Sequence, residues 1–198
     1  MKKSLCKDRK RNMTITLNNK TIFAFADTHG RHRDLQYDYE NTDILVCAGD
    51  VCEMGDENQL QDFFAWFAEQ PVKHKLFVSG NHDLSFELFP EQAEHYIPED
   101  VTHLNNNCIK LEGIWFYAPP VTMLNTLSVP IYVDVLVTHL PPSGILDDSG
   151  RWGSEYSLIL TQELNPKVHI FGHYHQSGNQ KVTIGNTTFY NVAKNNCE

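Results

Sequence analysis

Short apolar runs alternate along the chain with longer segments in which apolar residues recur at helical spacing. The runs cover residues 21–26, 43–48, 75–79, 114–118, 133–138 and 168–171. Several are apolar at consecutive positions, not at every second one, which is the pattern of strands covered on both faces. Residues 56–70 read as a helix: Leu60, Phe63, Phe64 and Phe67 fall on one stripe, and Asp56 offers an N-cap oxygen. Trp66 falls off that stripe and is expected at the surface, available for self-association. A second helix is expected over residues 155–164, with Pro166 just beyond it. Residues 181–192 read as a hairpin turning at Gly185-Asn186. Strand and helix alternate early and strands dominate later. The expected fold is therefore α/β, a four-layer α-β-β-α sandwich of two mixed β-sheets flanked by helices. Pro119-Pro120 and Pro141-Pro142 mark loops at strand ends, and no repeat or linker interrupts the pattern.

Composition adds boundaries to this picture. At 198 residues the chain has the size of one domain. Residues 1–13 are expected to form a basic, disordered tail, with 14–198 a single domain and Met13 an alternative start. The basic residues at the start lead into Asn12-Met13-Thr14-Ile15-Thr16 and not into an apolar segment, which argues against a secretory signal. No apolar run approaches the roughly 18 residues of a membrane span. The five cysteines (Cys6, Cys47, Cys52, Cys108 and Cys197) show no CxxC pair, so a reducing, cytoplasmic setting is expected. Cys47 reads as core, whereas Cys52 is close enough to Asp50 to line a site there. A net charge of -9 disfavours long nucleic acids as partners.

Candidate chemistry sits where the apolar runs stop. Asp27-Thr28-His29 follows the first run, and an extended backbone would put Asp27 and His29 on one side, within reach of one metal. Gly49-Asp50 follows the second, where a carboxylate can bridge two cations. Gly80-Asn81-His82-Asp83 follows the third: Asn81 offers a neutral oxygen, and His82 can give a proton or hydrogen bond to a leaving oxygen. Asp83 is expected to orient His82. Thr138-His139 ends another run, and Gly172-His173-Tyr174-His175 offers two imidazoles suited to adjacent metals. Each motif alone is weak; five of them in order at strand ends are not a coincidence. Arg31 and Arg33 share the loop after the first motif and could approach a phosphate, as could His32. Trp152 and Tyr156 could wall the site.

These five motifs resemble the calcineurin-like metallophosphoesterase superfamily over nearly the whole chain. The segments from Ala26 to Arg31, from Ala48 to Gly55, from His74 to Phe86 and from Thr138 to Asp147 look like its branch of metallophosphoesterase-domain-containing proteins. The resemblance implies two divalent ions. One takes Asp27, His29, Asp50 and His175; the other takes Asp50, Asn81, His139 and His173. It also implies Mn²⁺, although such N/O donors admit Fe, Zn²⁺, Co²⁺ or Ni²⁺. The expected reaction is hydrolysis of a phosphodiester, a cyclic nucleotide among the options, by in-line attack of a metal-bridging hydroxide. Asp50, Asn81 and His82 are the expected catalytic residues. The partner is a small phosphoester substrate of nucleotide type and no membrane. The stretch from Pro119 to Pro130 is short beside that branch, and relatives continue past the final hairpin, so substrate preference transfers less well than the metal site. A phosphomonoesterase and a non-catalytic scaffold are the alternatives. A protein phosphatase fits less well, because no Arg follows Asp50 in Val51-Cys52-Glu53-Met54-Gly55.

Overall fold

Alternation inside the apolar runs decides the layers. The computed structural model describes residues 14–120 and 130–194. The first sheet holds β1 (Thr14–Leu17), β2 (Lys20–Phe25), β3 (Ile44–Cys47), β4 (His74–Phe77) and β5 (Val101–His103) in that spatial order. β1 and β2 are antiparallel and the rest are parallel, with Ile22 opposite Ile44 and Ile44 opposite His74. The second sheet contains β6 (Asn107–Leu111), β7 (Ile114–Ala118), β8 (Val135–Val137), β9 (Val168–Phe171), β10 (Gln180–Ile184) and β11 (Thr187–Asn191). Its order is β10-β11-β9-β8-β7-β6, antiparallel at both edges and parallel inside.

Three apolar clusters fill the three spaces between four layers. Ile22, Ala24, Ile44 and Val46 face Phe116, Val135, Val137 and Ile170 between the sheets. The intervening residues, Phe23, Phe25, Leu45 and Cys47, face outward onto helix α1 (Glu57–Glu69). On the far side Tyr117, Val133 and Leu136 meet Leu160 and Leu164. α2 (Ser85–Leu88) and α3 (Pro90–Glu94) are short turns after β4, and Leu160 and Leu164 belong to α4 (Glu155–Leu164). The expected sandwich is thus the observed one. Consecutive burial arises because every strand residue meets one of two cores, each such side chain contributing ~1.5–3 kcal/mol.

Asp56 caps α1 through Asn58 and Gln59 N–H groups at 2.9 and 3.1 Å, as its position predicts. The hairpin also turns at Gly185-Asn186. Trp66 corrects an expectation: it is 8% exposed, with its ring edge-on to Phe25 at 6.1 Å and 5.0 Å from His32. The helix is covered on a wider arc than a single stripe, because the loop carrying His32 packs beside the sheet. β5 and β6 escape a reading of apolar runs because they are edge strands; β6 is largely exposed. The expected tail, Cys6, Cys197 and residues 121–129 lie outside the described residues. No helix among the described residues is long and apolar enough to cross a membrane.

His169, on β9, is fully buried, and its two ring nitrogens lie 2.9 and 2.8 Å from the Thr138 and Thr161 hydroxyls. Burial pushes it down from 6.5 to about 3, so the folded protein holds it neutral. Between those values only the unfolded chain takes up the proton. The stability this neutral ring secures is present above 6.5 and is lost as pH falls toward 3. At ~1.4 kcal/mol per unit, His169 should account for about 2 kcal/mol of lost stability between pH 7 and pH 5. Urea unfolding of the native chain and of His169→Gln checks this. The variant should lose correspondingly less on acidification, and equal losses would show that His169 does not titrate on unfolding.

Candidate metal centre

The motif residues leave their strands in left-handed backbone. Asp27, His29, Asp50 and His173 have φ of 57, 44, 56 and 67°. Non-glycine residues adopt such angles at a cost of ~1–3 kcal/mol each, and they cluster where a site demands it. The side of an extended chain is therefore not what unites Asp27 with His29; a turn does so. Two glycines permit the approach. A Cβ on Gly49 (φ 97°) would lie 2.6 Å from the Gly80 nitrogen, and one on Gly80 would lie 2.2 Å from Asp50 Oδ1. The loops after β3 and β4 are thus in backbone contact. The two sheets also meet here, through a bridge between Ala26 and Ala193.

Two donor clusters hold the expected ligands: Asp27, His29 and His175 form one, and Asp50, His139 and His173 the other, with the donor atoms of each within 4.8 Å of one another. Asp27 joins them, since its carboxylate accepts the His173 N–H at 2.9 Å. A third group of the same kind, His29, Glu53 and His82, shares His29 with the first. Asn81 is exposed and lines a cavity together with Gly80 and His139. His82 donates its backbone N–H to Asp50 Oδ1 at 2.8 Å, while its half-buried ring stands edge-on to His29 at 4.9 Å.

The imidazoles are oriented from behind. Nδ1 of His139 lies 2.8 Å from the Ala48 carbonyl and Nδ1 of His175 lies 3.0 Å from the Lys194 carbonyl. A proton on each Nδ1 makes these hydrogen bonds and leaves each Nε2 as the atom turned into the site. Those Nε2 atoms face carboxylates: Asp50 Oδ2 at 3.2 Å and Asp27 Oδ1 at 3.6 Å. A ring nitrogen set against a carboxylate calls for positive charge between them, a proton or a metal ion. Carbonyl-anchored imidazoles beside carboxylates are the arrangement by which metal ligands are held.

Electrostatics point the same way. Burial is the largest influence on Asp27 and raises its carboxyl to about 6, against the His139 charge. For Asp50, burial also acts upward, but the charge and hydrogen bond of His139 outweigh it and hold the acid to about 2. Burial would lower His139, yet Asp50 raises it to about 10. The pocket therefore holds a proton where a cation would satisfy the same field. Burial, then the His139 charge, lowers His173 to about 4 and keeps it free to ligate.

Other residues differ from their expected places. Asp83 does not orient His82. Its carboxylate is buried and accepts from the backbone N–H groups of Asp50, Val51, Cys52 and Gly80 at 2.8, 2.9, 3.2 and 2.9 Å. It ties the Asp50 loop to the Asn81 loop. Glu53 is the acid at the His82 ring, 3.4 Å from Nδ1 and 3.3 Å from Nδ1 of His29. Nothing in the motif spacing marks Glu53; only proximity reveals it. Cys52 does not line the site: it is fully buried behind the loop, with Sγ 3.4 Å from Asp83. Arg31 pairs with Asp34 and Arg33 with Asp62, while His32 is buried against Phe63 and Trp66. Trp152 stands 6.2 Å from the His173 ring, and Tyr156 lines the cavity beside His139.

Residues 20–177 match the family described as calcineurin-like phosphoesterase. The chain belongs to that family. Its members are metal-dependent hydrolases of phosphoesters with a dinuclear site, and the two donor clusters suit such a centre. This calcineurin-like phosphoesterase is 30% identical to the UPF0046 protein K07C11.7 of Caenorhabditis elegans, over 88% of this chain and 70% of the relative. It is 29% identical to metallophosphoesterase domain-containing protein 1 of Homo sapiens, over 85% of this chain and 64% of that one. The chain thus spans just under two thirds of the human relative. The crystal structure of TT1561 of Thermus thermophilus shares the fold, with a TM-score of 0.61, 11% identity, and coverage of 86% of this chain and 89% of that one.

Proposed function

We propose that residues 14–198 form one catalytic unit that hydrolyses small phosphodiesters of nucleotide type, with two divalent ions, Mn²⁺ foremost. The observation that carries the reading is the pair of carbonyl-anchored imidazoles, His139 and His175, each turned on a buried carboxylate. In it Asp27, His29, Asp50 and His175 hold one ion and Asp50, Asn81, His139 and His173 the other. When bound, such a pair supplies Lewis-acid charge and a nucleophile at neutral pH.

The chain's own residues account for the rest. Asp50 presents both oxygens because the His82 N–H and the Asp83 clamp fix its loop. Asn81 directs a neutral amide at the phosphoryl oxygens, and His82 gives the leaving oxygen its proton, with Glu53 beside the ring to orient it. Diesters are favoured over monoesters by charge. A monoester carries an extra negative charge, yet no Lys or Arg among the described residues lines the cavity, where Glu87 adds a carboxylate. The free thiols Cys47, Cys52 and Cys108 suit the reducing cytoplasm.

With Mn²⁺ added, bis-p-nitrophenyl phosphate should be hydrolysed faster than p-nitrophenyl phosphate. Preference for the monoester would replace the diesterase with a phosphomonoesterase, and no bound metal with no turnover would leave a scaffold. His82→Ala should keep its metal content and lose roughly 100-fold in turnover of the diester. Loss of metal in that variant would make His82 a ligand and remove its role as proton donor.

A further inference from the structure

Past His139 the centre opens into a cavity of about 160 Å³. Gly80, Asn81 and His139 form its near side, so anything bound there sits next to the centre. Val78, Pro119, Pro120 and Leu140 give it apolar walls. Two of the residues lining it carry hydroxyls that stand apart. Ser79 Oγ and Tyr156 OH are buried and have no hydrogen-bond partner among the described residues. Ser79 as a whole is 3% exposed. Two neighbouring hydroxyls are engaged: Thr138 Oγ1 donates to the Leu140 carbonyl at 2.7 Å, and Ser154 Oγ accepts from the Ser157 N–H at 3.2 Å. An unmet buried hydroxyl is costly, so two on one small cavity point to a ligand's polar edge.

Size and charge narrow the occupant. An apolar cavity of roughly 150 Å³ admits one benzene ring. Among the described residues no Lys or Arg lines this one, the His139 ring is already matched by Asp50, and Glu87 is on its wall, so a second anionic group is unwelcome. We propose that the cavity is the subsite for the organic substituent of the phosphoester: a single uncharged ring whose edge accepts hydrogen bonds from Ser79 and Tyr156. The inference rests on the phosphoesterase reading for its neighbour, the phosphoryl group at Asn81 and His139. It makes Ser79 and Tyr156 specificity residues, remote from the bond that breaks.

Calorimetric titration of the full chain, loaded with Mn²⁺, against dimethylphosphinate and methyl(4-nitrophenyl)phosphinate tests it. Neither compound has an ester bond to hydrolyse, and both carry the single negative charge of a diester, so only the ring differs. The ring compound should bind at least about tenfold tighter, and Ser79→Ala and Tyr156→Phe should each reduce that ratio by roughly 2- to 10-fold, the worth of one hydrogen bond. Equal affinities, no binding of either compound, or a ratio that neither substitution moves would each overturn the subsite. Ring preference without hydrolysis of any phosphoester would leave the subsite standing and overturn the catalytic reading instead.

Discussion

Asp50→Asn is expected to lose both metals and, with them, at least about a thousand-fold in kcat/KM. The side chain is 2% exposed and each oxygen has a separate task. Oδ1 takes the His82 N–H at 2.8 Å, and Oδ2 faces His139 Nε2 at 3.2 Å. An amide keeps the shape but supplies one oxygen in place of two and no charge. It also turns an N–H₂ group toward either the His82 N–H or the His139 ring, a donor against a donor in one case. The His139 imidazole, which Asp50 holds up at about 10, loses the partner that does so. Several kcal/mol of charge stabilisation at the phosphoryl group go with the ions, which is the basis of the thousand-fold figure. Elemental analysis of the purified variant beside its rate on bis-p-nitrophenyl phosphate checks both halves. A variant that retains two ions per chain and near-normal turnover would remove Asp50 from the bridging position. Loss of one ion alone would assign it to a single cluster.

The layers and the motif positions were legible because they depend on local pattern. Strand residues such as Ile22, Phe23, Ala24 and Phe25 must be apolar at every position when two cores enclose the sheet, and a polar residue just after them is conspicuous. What was not legible depends on contacts between distant segments. Asp27 and His29 look like neighbours on an extended chain, yet both have positive φ, because the bond from Asp27 N to the Gly49 carbonyl at 2.8 Å redirects the backbone. Trp66 lies off the apolar stripe, and only the packing of the His32 loop buries it. Glu53 belongs to an acidic, ordinary-looking stretch, and three-dimensional folding alone brings it to His29 and His82. Ser79 and Tyr156 are 77 positions apart by number and share one cavity wall only after the sheets have packed.

Asp83 is the clearest such case, and Asp83→Ala is expected to cost about 4 kcal/mol, a large share of the ~5–15 kcal/mol that holds a domain together. Sequence proximity ties Asp83 to His82, but its carboxylate turns inward. Four backbone N–H groups, from Asp50, Val51, Cys52 and Gly80, converge on its two oxygens within 3.2 Å. Burial, and next the Asp50 charge, push this acid up to about 6, while the N–H groups pull the other way. Alanine would leave all four donors without an acceptor in a space that is 1% exposed, at ~1–3 kcal/mol for each that water cannot reach. Relaxation of the two loops would satisfy some of them. That relaxation is also why the loss should spread to the centre, since the same loops carry Asp50 and Asn81. Asp83→Asn, which keeps the volume and one acceptor oxygen, should fall between the two proteins. Urea unfolding with and without Mn²⁺ separates the effects. The native chain should gain stability from the metal and Asp83→Ala should gain far less, because its donor loops are no longer held at the required spacing. A loss under about 1 kcal/mol with an undiminished gain from Mn²⁺ would mean that backbone contact between Gly49 and Gly80 alone sets the spacing of the loops.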